Sequence, residues 1–259
     1  MKMIPTSTID LTITSPPYDN RRIYNNYTFN FNQIANELYR ITKNAHTLVW
    51  IVADSTNNFC ESMTSFKQAL YFVQCGFKLL DTMIYLKKYV LPMYPSIKRY
   101  NSQFEYMFIF TKGKPIVFNP IRIPNASKGK PNHLSARYSN GSQQYKTIIT
   151  ADTKIIGNVW EYDIGYNHST NDDIAYNHPA IFPESLAKDH ILSWSNENDL
   201  VFDPMCGSGT TCKMAKLLNR NYLGCDISNE YVEIAKQRLA NTSIVNLSKP
   251  SPPAMVNLK

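Results

Sequence analysis

The sequence predicts an α/β fold in which a mostly parallel, twisted β-sheet carries helices on both faces. Two observations lead to this prediction. Short runs of β-branched and other apolar residues alternate with segments that have apolar residues at helical spacing. Residues 46–53 also form an apolar run without alternation, which is typical of a strand buried on both faces of a parallel sheet. Strands that alternate with helices favour parallel pairing, because each helix returns the chain to the edge where the previous strand began.

The elements follow in chain order. Strands are predicted at residues 9–14, 46–53, 77–86, 104–111, 200–202 and 222–225. Helices are predicted at residues 31–42 and 66–76, from Glu184 onward, and from near Thr210. In the helix at residues 66–76, one apolar side contains Phe66, Ala69, Leu70 and Val73. Residues 112–150 are rich in Pro, Asn, Ser, Gly and Lys without a sustained period, so we predict an inserted loop-rich region there.

Length and composition allow one large α/β domain with a sizeable core. The chain has 259 residues, of which 43% are hydrophobic and 18% are charged. No window contains the roughly twenty apolar residues that span a bilayer, and Pro5 and Asp10 interrupt the apolar stretch that a signal peptide needs. We therefore expect a cytoplasmic protein without a membrane partner.

Cysteine usage argues against a metal site and against disulfides. The five cysteines are Cys60, Cys75, Cys206, Cys212 and Cys225. Their number is odd and no CxxC pair occurs, so the sequence predicts neither a zinc site nor a disulfide framework. Buried free thiols are the simplest interpretation, and we expect no metal ion.

Positive charge is concentrated in one part of the chain. The formal net charge is +7, but residues 87–146 contain eight Lys and three Arg against one Glu, which is +10. The remainder of the chain therefore carries −3. A basic block of this density indicates a polyanionic partner such as nucleic acid. A solvated basic face is the alternative interpretation.

The stretch TSPPYDN, residues 14–20, ends the first predicted strand abruptly. Neither Pro16 nor Pro17 can donate a backbone hydrogen bond, and each ring fixes φ, so the pair holds its carbonyl groups rigidly. The hydroxyl of Ser15 and the aromatic ring of Tyr18 flank the two prolines. A tyrosine in the core is the alternative interpretation of Tyr18.

A second motif, DPMCGSGTT, begins at Asp203 directly after a predicted strand. A Gly-Ser-Gly turn leads into a helix, and the next strand ends at Asp226, 19 residues after Gly207. Glycines that let the backbone approach a ligand, followed by an acid at the next strand end, are typical of a nucleoside-cofactor site. Cys212 occupies the position of the third glycine of a dinucleotide fingerprint, which disfavours an NAD site. An ordinary βαβ turn is the alternative.

Together, TSPPY near the N-terminus and DPMCGSGTT near the C-terminus resemble the β class of S-adenosylmethionine-dependent DNA amino-methyltransferases. Residues 104–114 resemble the strand before the target-recognition region of that class, and residues 178–186 resemble the segment before its cofactor glycines. The resemblance covers roughly residues 9–239. It implies a Rossmann-like methyltransferase fold with permuted motif order, S-adenosylmethionine as cofactor and double-stranded DNA as substrate.

The resemblance also implies a division of the chain into four parts. The catalytic half is expected at residues 1–111, an inserted target-recognition region at 112–154, the cofactor-binding half at 155–240 and a flexible tail at 241–259. A restriction-modification context with a cognate restriction endonuclease and a homodimer are further expectations from the family.

The catalytic residues implied by the resemblance are Ser15, Pro16, Pro17 and Tyr18. An exocyclic amine is a weak nucleophile, and the Ser15 hydroxyl and Pro16 carbonyl would accept hydrogen bonds from it. Tyr18 would stack on the base after it leaves the duplex. Serine at this position more often accompanies cytosine N4 methylation in the family, so we expect cytosine. Adenine N6 is the alternative base.

Two further groups of residues are implied. The cofactor-binding residues are Phe182, Pro183, Asp203, Pro204, Cys206, Gly207, Ser208, Gly209, Thr210, Asp226 and Ile227. The DNA-binding residues are Arg21, Arg22, Lys87, Lys88, Lys98, Arg99, Arg122, Lys128, Lys130 and Arg137. Asp203 either orients the glycine turn or meets the amino group of the cofactor. Asp226 is expected to bind ribose and could also cap the helix around Tyr231, since both roles use strand-end geometry. Phe182 is either a cofactor contact or part of the core.

Two other functions compete with this interpretation. An RNA or protein-amine methyltransferase could carry a similar active-site turn, and a decayed methyltransferase could retain only nucleic-acid binding. The early position of the catalytic motif and the basic block argue against the first. The intact glycines, Asp226 and Tyr18 argue against the second.

Overall fold

A computed structural model of the chain describes residues 1–17, 29–89 and 98–242. Tyr18, Arg21, Arg22 and the tail from residue 243 onward, all named in the predictions above, lie outside the described residues. Within the described ranges, every helix is too short or too polar to cross a membrane.

The described elements alternate as the sequence predicts, with additional short strands. The strands are β1 (Ile9–Thr14), β2 (Thr42–Val52), β3 (Thr56–Asn57), β4 (Cys60–Glu61), β5 (Lys78–Lys87), β6 (Phe104–Thr111), β7 (Arg122–Pro124), β8 (Pro131–Arg137), β9 (Gln143–Ile149), β10 (Thr153–Ile155), β11 (Val159–Tyr162), β12 (Leu200–Asp203) and β13 (Asn221–Gly224). The helices are α1 (Phe31–Ile41), α2 (Thr64–Gln74), α3 (Glu184–Trp194), α4 (Thr210–Leu217) and α5 (Asn229–Ala240), with a 3₁₀ helix at Asp173–Asn177.

Seven of the described strands form the central sheet in the order β11-β5-β6-β2-β1-β12-β13. Four neighbouring pairs are parallel, and β6 runs antiparallel to both of its neighbours. The mostly parallel α/β architecture expected from the sequence is therefore confirmed. Strand β1 lies between β2 and β12. The order of the strands therefore reverses at β1, with β2 next to it on one side and β12 on the other.

The core on one side of the sheet is aromatic. Phe72 of α2 packs edge-on against Trp50 of β2 at 4.9 Å between ring centroids, and lies 5.0 Å from Phe110 of β6. The Trp50 indole donates a hydrogen bond of 2.8 Å to the Gln68 side chain of the same helix. A buried indole N–H needs an acceptor, so this bond fixes which side of α2 faces the sheet.

Of the apolar side of α2 predicted from the sequence, only Ala69 is buried. The buried residues are Ser65, Gln68, Ala69 and Phe72, whereas Phe66, Leu70 and Val73 remain exposed. The periodicity predicts the helix correctly, but long-range contacts orient it: Phe72 packs against Trp50 and Phe110, and Gln68 bonds to Trp50. An exposed apolar row of three side chains results.

Residues Pro120–Gly157 form a second compact unit. It contains the antiparallel pairs β7–β10 and β8–β9. The expectation of a region without regular structure was wrong for residues 131–149, because they form a hairpin of two seven-residue strands. Every residue of both strands is exposed. A hairpin without a buried face shows no apolar alternation, which explains why these residues carry no strand signal.

Candidate active site

Both sequence motifs lie at the same edge of the central sheet. Strands β1 and β12 are parallel neighbours, and Leu11 and Thr12 lie opposite Val201 and Phe202. The carboxyl ends of the two strands therefore meet, with one motif following each strand. In open α/β sheets, ligands bind at this edge where the direction of strand order reverses.

Asp203 connects the two motifs. The hydroxyl of Thr14 donates to its Oδ1 at 2.8 Å, and the hydroxyl of Thr211 donates to its Oδ2 at 2.9 Å. The backbone N–H of Met205 also donates to Oδ1, at 3.1 Å. The residue is 1% exposed, and this burial raises the pKa of its carboxyl to about 6, although the three hydrogen bonds oppose the shift. These bonds are those of a residue that orients the turn, which was one of the two roles expected from the sequence.

The Gly-Ser-Gly turn requires glycine at both positions. Gly207 has φ +48° and Gly209 has φ +79°, and side chains rarely adopt this left-handed region. A Cβ at residue 207 would lie 2.7 Å from Nε2 of His178, and one at residue 209 would lie 2.7 Å from Cβ of Ala235. The backbone is therefore folded tightly against its surroundings, and no side chain projects from these two positions.

His178 is a site residue whose role sequence reasoning missed. Its Nδ1 accepts a hydrogen bond of 3.1 Å from the Ala180 N–H, and its ring packs edge-on against Tyr231 at 4.3 Å. The opposite ring nitrogen faces Gly207. The histidine thus joins the segment before α3 to the glycine turn and to α5, a relation that no local spacing in the sequence could reveal.

Asp226 closes the other side of the turn. Its Oδ2 accepts from the N–H of Gly207 at 2.9 Å, and its Oδ1 accepts from the N–H of Ser228 at 2.9 Å. The expectation that Asp226 could also cap α5 was wrong, because Ser228 is the N-cap and accepts from the N–H of Tyr231. A carboxylate offers about four lone-pair directions, so Asp226 retains acceptor capacity for a ligand.

The first motif places polar groups beside this turn. Pro16 is buried, and Ser15 and Pro17 are half-buried at the end of β1. Thr14, the preceding residue, is the one that donates to Asp203. The Ser-Pro segment is consequently linked to the glycine turn through a single buried carboxylate.

Comparison with known proteins decides the family. The model of the N6/N4 family, described as DNA methylase, matches residues 9–237. The chain belongs to this family. The methylase is 49% identical to the orphan methyltransferase M.BamHII of Bacillus amyloliquefaciens over 244 residues, which cover 92% of this chain and 91% of the relative.

Two solved structures share the fold of the methylase. PvuII DNA methyltransferase (cytosine-N4-specific) has a TM-score of 0.67 at 18% identity, with 95% of this chain and 84% of that chain covered. TTHA0409 from Thermus thermophilus, complexed with S-adenosyl-L-methionine, has a TM-score of 0.61 at 19% identity, with 92% and 88% covered. The expected Rossmann-like methyltransferase fold is confirmed.

The cofactor of the methylase is S-adenosylmethionine, as the sequence predicted. The residues present fit it, because the two glycines leave the turn without side chains and Asp226 retains free acceptor positions. Ile227, directly after Asp226, is 63% exposed and offers an apolar surface beside the carboxylate. The other expected cofactor residues are Pro183, Cys206, Ser208 and Thr210, which are buried, and Phe182 and Pro204, which are half-buried.

Three cysteines meet beneath the turn. A Cβ at Gly224 would lie 2.8 Å from Sγ of Cys212 and 3.1 Å from Sγ of Cys206. Burial raises the pKa of both thiols, and of Cys225, which keeps them protonated. All five cysteines are free. The expectation of buried thiols is confirmed for Cys206 and Cys212, whereas Cys75 and Cys225 are half-buried and Cys60 is exposed.

The eight expected DNA-binding residues within the described ranges fall into two groups. Five have partners within the protein: Lys87 with Glu105 at 2.7 Å, Lys88 with Asp163 at 3.1 Å, Arg99 with Glu61 at 2.6 Å, Lys128 with Asp152 at 2.7 Å, and Arg122 with the Thr153 hydroxyl at 2.9 Å. Lys98, Lys130 and Arg137 are exposed. Lys87 is the most enclosed of the paired lysines, since its side chain is 21% exposed against 41% for Lys88 and 62% for Lys128.

Proposed function

We propose that the methylase transfers a methyl group from S-adenosylmethionine to N4 of a cytosine that has been flipped out of double-stranded DNA. The observation that carries the proposal is the position of Ser15 and Pro16 at the end of β1, linked through Thr14 and Asp203 to the glycine turn. This arrangement holds the amine acceptors and the cofactor turn at one edge of the sheet.

The chain would act mainly by positioning. When bound, the cofactor supplies an electrophilic methyl group on a sulfonium. The Ser15 hydroxyl and the Pro16 carbonyl accept hydrogen bonds from the amino group, which directs the nitrogen lone pair out of the base plane. Neither proline has an N–H that would compete for the same acceptors. Orientation and electrostatics of this kind supply large rate factors without a covalent intermediate.

Asp226 and Ile227 complete the proposed cofactor site. The carboxylate of Asp226 accepts the ribose hydroxyls with its remaining lone pairs, and the exposed Ile227 side chain covers one face of the adenine. Phe182 and Pro183 form the wall at the methionine end, and Tyr18 stacks on the flipped base.

The choice of cytosine rests on Ser15, because serine at this position more often accompanies cytosine N4 methylation in the family. A carboxylate at this position would accept a proton from the amine, whereas a serine hydroxyl does not, so the proton leaves to water after transfer. PvuII DNA methyltransferase, which shares the fold, is cytosine-N4-specific by its title. Adenine N6 is the second candidate.

Product analysis tests the proposal. Mixed-sequence duplex DNA is incubated with the protein and labelled S-adenosylmethionine. The DNA is then digested to nucleosides, and the methylated nucleoside is identified by its mass. N4-methylcytosine is the expected product, and Ser15→Ala should lower its rate of formation by about 10²-fold, the scale of a lost acid-base or hydrogen-bonding group. N6-methyladenine would overturn the base assignment, and methylation of RNA alone would overturn the substrate.

The hairpin β8–β9 is the proposed DNA-contacting surface. The unit that contains it carries six Lys and Arg residues against one Asp, a net charge of +5. A two-stranded ribbon fits the major groove of B-DNA, where base edges are distinguishable. Lys130 and Arg137, both exposed, supply phosphate or base contacts on this ribbon.

The remaining partners are proposals as well. The exposed row Phe66, Leu70 and Val73 on α2 is the proposed contact of a homodimer, which Leu70→Asp should dissociate in light scattering. A cognate restriction endonuclease stays a prediction, and the 49% relative is by its name an orphan methyltransferase. The cytoplasmic location stays a prediction.

A further inference from the structure

An ionic cluster around the buried Arg238 side chain joins α3, α4 and α5. The side chain of Arg238, near the end of α5, is 0% exposed. Its Nε lies 2.9 Å from Oδ2 of Asp172, and its Nη2 lies 2.7 Å from Oε1 of Glu184. Lys213 of α4 pairs with the same two carboxylates, at 2.8 Å and 2.7 Å. Two cations and two anions therefore neutralise each other around the buried guanidinium, and the Asp172 and Glu184 side chains are 31% and 21% exposed.

Of the two cations in this cluster, Arg238 is the one that extends to the cofactor turn. Its Nη1 donates to the backbone carbonyl of Ser208 at 2.7 Å, to the Ser208 hydroxyl at 3.1 Å and to the Thr210 hydroxyl at 3.2 Å. Ser208 is the residue between the two required glycines. The described bonds of the Lys213 ammonium go only to Asp172 and Glu184.

The carboxylates connect to the opposite wall of the site. Glu184 is the first residue of α3 and directly follows Pro183, while Asp172 directly precedes the 3₁₀ helix that leads to His178. The guanidinium has a rigid fork of five donors, so one side chain can bond to both walls in fixed geometry. A lysine cannot reproduce this fork.

We propose that Arg238 is a positioning residue that sets the separation between the Gly-Ser-Gly turn and the segment of residues 178–184, and thereby the affinity for S-adenosylmethionine. The inference rests on the proposed cofactor role of these two segments. Because a buried ion pair often adds little net stability, stability alone does not explain why this cluster is charged. A positioning role for Arg238 does explain it. The four residues are far apart in the chain, and their spacing carries no sequence signal.

The test compares Arg238→Gln and Arg238→Lys with Lys213→Met. The three variants disturb the same cluster, but only the first two change the bonds to Ser208 and Thr210. We expect Arg238→Gln to raise the KM and the Kd for S-adenosylmethionine at least about tenfold, and Arg238→Lys to raise them by a smaller factor. The kcat at saturating cofactor and the Kd for DNA should change less than about threefold. Lys213→Met should lower the melting temperature while leaving cofactor affinity within about twofold.

Each outcome has one meaning. If the Arg238 variants weaken cofactor binding no more than Lys213→Met does at matched loss of stability, Arg238 is only structural and the proposal fails. If Arg238→Gln does not fold, Arg238→Lys alone decides, because normal cofactor affinity in that variant also overturns the proposal. If the unaltered protein does not bind S-adenosylmethionine, the proposed function fails before the inference is reached.

Discussion

The cofactor turn and the hairpin β8–β9 are opposite solutions to the placement of polar groups. In the turn, Asp203 accepts three hydrogen bonds in the interior, and Arg238 satisfies the carbonyl of Ser208. In the hairpin, every strand residue is exposed, and the backbone ladder between the two strands is the main source of order. The turn is determined from within the protein, whereas the hairpin presents its side chains outward.

The turn and the hairpin should therefore contribute to different parts of the function. A fully bonded interior tolerates few side chains, so its conformation is visible in the residues themselves. An isolated two-stranded ribbon is marginally stable in water, so its contribution depends on what it binds. Changes in the turn should therefore act on folding and cofactor affinity, and changes in the hairpin on DNA affinity.

The largest expected effect is that of Gly209→Ala, and Gly141→Ala is its control because the two glycines have nearly equal φ. Gly209 has φ +79° and Gly141, at the tip of the hairpin, has φ +82°. Alanine at either position takes on a left-handed conformation that costs about 1–2 kcal/mol. At residue 209 the new methyl group also meets Ala235 at 2.7 Å, whereas nothing lies within 4 Å at residue 141. Overpacking adds about 1–3 kcal/mol.

Urea unfolding and cofactor titration separate these two terms. Gly209→Ala should lower the free energy of unfolding by about 2–5 kcal/mol and abolish cofactor binding. Gly141→Ala should lower the free energy of unfolding by no more than the left-handed penalty of about 1–2 kcal/mol, and it should leave cofactor binding unchanged. Equal losses for the two variants would mean that the tight packing around the turn does not distinguish the regions.

The second effect is a pH dependence confined to the buried region. Burial raises the pKa of Asp189 on α3 to about 7 from its ordinary 3.8, although the hydroxyl of Tyr162, 2.9 Å away, acts to lower it. Between about pH 4 and 7, the folded protein thus keeps a proton on Asp189 that the unfolded chain has already released. Stability from this group is full below about pH 4 and falls as pH rises towards 7.

Asp189→Asn isolates that contribution. Asn remains uncharged at all pH values, so the loss of stability between about pH 5 and 8 should be smaller in the variant by about 2 kcal/mol. Asp203 and His190 also make stability depend on pH, in overlapping windows and with opposite signs. Their contributions are the same in both proteins and cancel when the variant is subtracted from the parent. Parallel stability curves for variant and parent would contradict the prediction, and urea midpoints across the pH range measure it.

Predictability from sequence follows the same division. Strands β1 and β6 and the starts of α3 and α4 match the sequence-based boundaries, because apolar period and local turn chemistry determine them. The side of α2 that packs inward depends on a bond between Gln68 and Trp50, and the Arg238 cluster joins four distant residues. The hairpin has no buried face and hence no period. Local rules therefore reach the glycine turn but not the residues that support it.

A third, smaller effect concerns DNA affinity. Arg137 is exposed at the end of β8, and its removal should weaken DNA binding about three- to tenfold and reduce the slope of log affinity against log salt by about 1. Lys236→Ala is the control, because Lys236 is an exposed cation on α5 paired with Glu233. Fluorescence anisotropy at several salt concentrations measures both. Equal effects of the two variants would assign DNA binding to net charge rather than to the hairpin.

The smallest effect should come from the ion pair between Lys128 and Asp152, and its sign is opposite for stability and for binding. The two side chains are 62% and 71% exposed, so solvent screens their attraction. Asp152→Asn should lower the free energy of unfolding by no more than about 0.5 kcal/mol. The same change removes the sole acid of the Pro120–Gly157 unit and frees Lys128 for phosphate, so DNA affinity should rise about twofold at low salt. A fall in DNA affinity would show that the pair orders the unit for binding, and the contrast between a self-determined turn and an outward-facing hairpin would no longer hold.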